Sequence, residues 1–147
     1  MNRSAPPGTM VPLLCYGDTK LAIEWLCRVF GFRESLRWGP RDNPDAQLET
    51  GQGAILVRRA RGPDGLTDRF LRPPVANEAS HGVLVAVDDV DEHHRRAMAE
   101  GARLHRELET YPRIGERQYS VLDLDGHLWT FSQSVADVDP HAWAEVP

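Results

Sequence analysis

A chain of 147 residues with a hydrophobic fraction of 41% is long enough for one domain, or for two small repeated modules around a common core. Its net charge of -5 argues against nucleic acid as a partner, and no apolar run approaches the roughly 20 residues that span a bilayer. Cys15 and Cys27 lie in apolar surroundings without a CxxC pair, and residues 1–10 lack the apolar stretch of a signal peptide. Reduced packing cysteines in a cytoplasmic protein are the expectation.

The first unit begins at Val11, in "VPLLCYGDTKLAIEWLCRVFGFRESLRW". An apolar strand leads to Asp18, whose carboxylate suits the free N–H groups at a helix start. The helix runs to Gly31, which supplies the left-handed conformation that ends it. A second strand follows and closes near Trp38. Two more strands are expected over 46–50 and 53–58, turning at Thr50-Gly51-Gln52-Gly53. Arg58, Arg59 and Arg61 read as a solvated face. Along the helix, polar residues fall only at Lys20, Glu24 and Arg28, a single stripe. The remaining surface is more apolar than one sheet face can cover, so a second surface is expected on it: a partner subunit, or the C-terminal tail with Trp143.

Residues 61–80 hold three prolines and two glycines and read as a linker. The second unit starts at His81, in "HGVLVAVDDVDEHHRRAMAEGARLHREL". Asp88 stands 13 residues before Gly101, as Asp18 stands 13 before Gly31. Asp88 or Asp89 caps the second helix. Val90, His94, Ala97 and Met98 are expected to face inward, with Arg95 and Arg96 solvated. His93 and His94 are adjacent and point about 100° apart, which argues against a metal pair. Strands over 117–122 and 127–133 turn at Asp123-Leu124-Asp125-Gly126. The order is βαβββ, twice. The reading is a single α+β domain with modules at about 11–60 and 81–134, a linker at 61–80 and a tail at 135–147.

This doubled pattern, with "VAVDDVDEHHRRAMAEGA" and "DLDGHLWTF", resembles the vicinal oxygen chelate superfamily of glyoxalase I, bleomycin-resistance proteins and extradiol dioxygenases. The likeness spans residues 11–133. Leu124 replaces the proline common in the family's turn motif. "YPRIGERQYSVLDLDGHLWTF" is most similar to the bleomycin-resistance and metal-free branches. The resemblance implies two mixed sheets curled around a cavity. In metal-dependent members, four strand residues (His, Gln or Glu) hold a divalent ion there. Carried onto this chain, those positions are Val11, about Val57, Gly82 and Thr130. None is a good ligand for a divalent ion. His81 precedes its position by one residue, and only a bulge would turn it into the cavity.

If Asp123 and Gly126 are the corners of the last turn, Tyr119 faces Thr130 and Arg117 faces Ser132. All four then share the cavity face that Thr130 defines. Trp129 and Phe131 alternate onto the helix side, against Ala97 and Met98. His127 takes a structural role. Trp38 lines the mouth of the cavity, and Tyr111 and Arg113 stand in a loop that closes over it. The expected ligand contacts are therefore Trp38, Arg117, Tyr119, Thr130 and Ser132, with no metal and no cofactor. A structural pairing of Arg117 with Glu116 or Asp123 competes with its role at the site. What the resemblance implies is a homodimer that binds a small apolar or aromatic molecule without metal, sequestering it as bleomycin-resistance proteins do. The alternative is a glyoxalase-like lyase or isomerase, or a dioxygenase. It would use a non-standard metal site with His81, or Tyr119 as acid or base.

Overall fold

Asp18 opens the first helix through its side chain, Oδ1 accepting from the Leu21 N–H at 3.0 Å. Gly31 closes it at φ 75°, in the conformation that costs a residue with a side chain most. These two residues bound α1 (Thr19–Phe30), between β1 (Leu13–Tyr16) and β2 (Arg33–Trp38). β3 (Asp45–Glu49) and β4 (Ala54–Arg59) complete the first module. The structure, a computed structural model, describes residues 1–60 and 71–143, with the side chain of Trp143 and the residue Arg61 outside the described set.

The second module repeats the plan with β5 (Gly82–Ala86), α2 (Val90–Ala99), β6 (Arg103–Tyr111), β7 (Glu116–Leu122) and β8 (Leu128–Ser134). Asp89, not Asp88, caps α2, accepting from the Glu92 N–H at 3.1 Å. The strand orders are β1-β4-β3-β2 and β5-β8-β7-β6. The first pair of each sheet is parallel and the others antiparallel. The architecture is the expected α+β arrangement of two curled, open mixed sheets.

The last hairpin departs from expectation by one residue. The Asp123 N–H bonds to the His127 carbonyl at 3.0 Å, and Gly126 takes φ 95°. Three residues rather than two separate the closing pair, a turn followed by a left-handed glycine. His127 therefore closes the turn opposite Asp123 and does not pair with Leu122. Leu122 pairs with Leu128, Ser120 with Thr130, Tyr119 with Phe131 and Gln118 with Ser132. A slip of one residue changes which side chains of β7 share a face with β8.

The helix-covered faces of both sheets merge into one core. Phe30, the last residue of α1, lies 4.7 Å from Phe131 and 5.4 Å from Trp129, ring to ring. Part of the surplus apolar surface of α1 is thus covered by the second module, while Leu21 stays 54% exposed and the side chain of Trp143 lies outside the described residues. His93 also turns inward, its ring 3.9 Å from Phe131, while His94 packs edge-on against Tyr119 at 5.0 Å. Trp129 and Phe131 sit on the helix side, in the core that includes Ala97 and that Met98 packs against. Arg59 is buried and Arg58 largely so, against the reading of a solvated face.

Polar contacts join the modules at both ends. Tyr16 Oη donates to Asp123 Oδ2 at 2.6 Å, and the Gly17 N–H to Asp125 Oδ2 at 2.9 Å. His127 Nε2 donates to the Cys15 carbonyl at 2.7 Å. At the other end Arg96 Nε donates to the Arg28 carbonyl at 3.0 Å.

Candidate functional site

Leu14, Tyr16, Ala46, Leu48, Ile55 and Val57 point into the core. Strand alternation therefore sends Leu13, Cys15, Leu56 and Arg58 to the opposite face of the first sheet, which no helix covers, although Cys15, Asp45 and Gln47 at its centre are buried. Gln47 and Asp45 of β3 join them, with Leu36 and Trp38 opposite on β2. Leu13, Leu36 and Trp38 remain 45%, 40% and 37% exposed. Large apolar side chains held in water on one sheet face are a signature of a surface that binds something.

The uncovered face of the second sheet has different chemistry. Gly82, Leu84 and Ala86 of β5 lie beside Leu128, Thr130 and Ser132 of β8. Thr130 Oγ1 shares a hydrogen bond with Ser120 Oγ at 2.8 Å. Ser132 Oγ donates to Glu116 Oε2 at 2.8 Å and accepts from Gln118 Nε2 at 3.1 Å. A cleft of about 340 Å³ opens there, lined by Leu84, Ala86, Glu116 and Ser132 among others. A second, of about 490 Å³, lies where Ala54 and Ile55 approach β5.

Three of the five expected contact residues occupy these faces: Trp38 on the first sheet, Thr130 and Ser132 on the second. Tyr119 and Arg117 do not. The one-residue turn difference puts them on the helix side of β7. Tyr119 is fully buried, its hydroxyl 2.5 Å from His93 Nδ1. Burial raises its phenol above the ordinary range, which removes it as an acid or base for a bound molecule. Arg117 donates to Asp91 of α2 at 3.0 Å and to Thr110 Oγ1 at 3.0 Å. Its structural partner is thus Asp91, not Glu116 or Asp123, and its hydrogen bonds hold the Asp91 carboxyl below its usual range. Tyr111 and Arg113 sit at a tight turn, where the Tyr111 carbonyl accepts from the Ile114 and Gly115 N–H groups. Cys15, alternating with Leu13 and Val11, is expected on this face from the sequence; Leu36 and Leu56 went unread, and Arg58 was expected only on a solvated face, because the alternation that selects them needs the register.

The metal positions of the resemblance can be tested on the same faces. Leu13 pairs with Leu56 as Leu84 pairs with Thr130. The fourth position is therefore Leu56, and Val57 points into the core. Val11, Leu56, Gly82 and Thr130 offer no imidazole and no carboxylate. Among the described residues, no group of three or more His, Cys, Asp or Glu could hold an ion. The β5–β8 register is unbroken from Gly82 to Ala86. No bulge there turns His81 inward, and it lines a separate cleft with Pro74 and His127. These residues do not fit a divalent ion.

Residues 9–131 match the family model described as "Glyoxalase/Bleomycin resistance protein/Dioxygenase superfamily". Among solved structures, TioX from Micromonospora sp. ML1 is 40% identical, with 86% of this chain and 98% of that one covered at a TM-score of 0.70. A glyoxalase/bleomycin resistance protein/dioxygenase from Nocardioides is 18% identical, covering 92% and 89% of the two chains at 0.62. The fosfomycin resistance protein FosX from Listeria monocytogenes, solved with Mn(II) and sulfate, is 15% identical, covering 86% and 91% at 0.61. The last two likenesses concern the fold alone. No curated protein matches the chain.

Proposed function

The chain belongs to the glyoxalase/bleomycin resistance protein/dioxygenase superfamily, and from that premise we propose that it binds a small apolar or aromatic molecule without a metal ion. The uncovered sheet faces hold the molecule and release it unchanged, so the function is sequestration. The observation that carries this reading is the pairing of Leu13, Leu36 and Trp38 in water on one face with metal positions that carry no ligand. Burying roughly 100 Å² of such surface against a ring is worth about 2.5 kcal/mol. Thr130, Ser132 and their partners supply a few fixed polar contacts, the usual composition of a small-molecule site. The resemblance to antibiotic-resistance proteins suggests a toxic small molecule as the cargo.

We place the protein in the cytoplasm as a homodimer in which each copy brings its open sheet faces to the other. Both cysteines remain thiols, and no described helix is long and apolar enough to cross a membrane. Light scattering at micromolar concentration tests the dimer, and a monomer contradicts it.

The test of function is metal analysis of the purified protein together with calorimetric titration of 1-naphthamide. Saturable binding that survives EDTA, with the probe recovered intact by mass spectrometry, is expected. A stoichiometric, tightly held divalent ion, or no binding at all, overturns the reading.

A further inference from the structure

Register sets a row of four side chains across the uncovered face of the first sheet. Cys15 stands beside Arg58, and Trp38 beside Asp45. The pairing of Ala46 with Val57 and Gln47 with Leu56 continues to place Asp45 beside Arg58. The row reads Cys15, Arg58, Asp45, Trp38, with strands about 4.8 Å apart. Leu13, Leu56, Gln47 and Leu36 form the adjacent row.

Arg58 is unusual among these. Its side chain is only 22% exposed, and its one ion-pair contact among the described residues is Nε to Asp45 Oδ2 at 3.9 Å, too far for a hydrogen bond. The Nε atom is buried with no hydrogen-bond partner among the described residues. Asp45 cannot come to its aid with both oxygens, because Oδ1 accepts the Arg59 N–H at 2.8 Å. The other cation on this face among the described residues, Arg33, is paired with Glu49. Guanidinium donors are costly to leave without acceptors, and they bind planar anionic groups through two parallel hydrogen bonds.

We propose that Arg58 anchors an anionic oxygen group of the ligand (a carboxylate, sulfonate or phenolate) while the ligand's aromatic ring lies over Trp38 and Leu36. Trp38 is two strands from Arg58, about 10 Å, so one acid-bearing fused ring system reaches both. The anion meets the exposed part of the Arg58 side chain, whose buried Nε holds only the long contact to Asp45. This inference rests on the binding function proposed above and narrows it to aromatic acids.

The test is calorimetry with two probes of the same ring, 1-naphthoate and 1-naphthamide, at neutral pH. Wild-type protein should bind the naphthoate about tenfold more tightly or better. Arg58→Gln should bring the naphthoate to the affinity of the amide and leave the amide unchanged, with Arg58→Lys recovering part of the preference. Equal affinity of wild type for both probes overturns the anchor and leaves the apolar site standing. Binding of neither overturns the proposed function as well. If Arg58→Gln weakens both probes alike, Arg58 is only structural and the anchor is wrong. Should that variant fail to fold, salt decides on wild type alone. Naphthoate affinity must fall as ionic strength rises while amide affinity holds, and a salt-insensitive naphthoate overturns the anchor.

Discussion

The hydroxyl of Tyr119 donates to Nδ1 of His93 across 2.5 Å, and Nε2 of the same ring donates to the Phe30 carbonyl at 3.0 Å. One neutral imidazole thus bridges a strand of the second module and the last carbonyl of the first module's helix. A protonated ring presents a donor to both partners, so Tyr119 Oη would have to accept from Nδ1 and turn its own proton toward the His93 carbonyl, 3.4 Å away. Burial, with a smaller contribution from the Arg96 charge, pushes His93 down to about 4.

Stability should therefore depend on pH through this residue. An unfolded histidine titrates near 6.5, so below that pH the unfolded chain binds a proton that the folded ring refuses. The contribution is complete above about pH 6.5 and drains away as pH falls toward the folded value of about 4. Because the ring is partly exposed, the loss is on the order of 2 kcal/mol rather than the full linkage value. Urea unfolding of wild type and His93→Gln at neutral and acidic pH checks this. The two pH profiles should diverge, with the variant flatter; parallel profiles remove His93 from the account.

Asp123 collects four donors: Tyr16 Oη, Trp129 Nε1 and the N–H groups of Asp125 and His127. Asp123→Asn keeps the shape but turns an NH₂ toward donors in a buried site. A loss of about 3 kcal/mol is expected, read as a lower urea midpoint, and a midpoint near wild type would contradict it.

Phe30 is 3% exposed and touches rings of both modules. Phe30→Ala should cost about 3–5 kcal/mol through the cavity it leaves. Thermal unfolding followed by tryptophan fluorescence measures it, and a cost under about 1 kcal/mol would mean that the modules do not share a core.

Trp38 and Arg117 separate site from scaffold. Trp38→Ala should change stability by less than about 1 kcal/mol while weakening 1-naphthamide about tenfold. Arg117→Ala should leave that affinity unchanged, since Arg117 is spent on Asp91. The reverse pattern in the same titration would return Arg117 to the site and remove Trp38.

Much of the fold was legible in the chain because it is written locally. Asp18 and Gly31 bound a helix through contacts within a few residues, and the second unit repeats the device with Asp89 and Gly101. Repetition of βαβββ then selected the architecture, and the absence of ligand side chains at Val11, Gly82 and Thr130 was readable from the same spacing. Tertiary structure decided which residues share a face. The three-residue turn before His127 depends on Gly126 and on Asp123 receiving donors from Tyr16 and Trp129, one of them in the other module. That turn carried Tyr119 and Arg117 to the helix side. Burial of Arg58 likewise depends on Asp45 and Cys15, which lie 13 and 43 positions away in the chain. A helix is bounded by its neighbours in sequence, whereas a sheet face is defined by strands that meet only after folding.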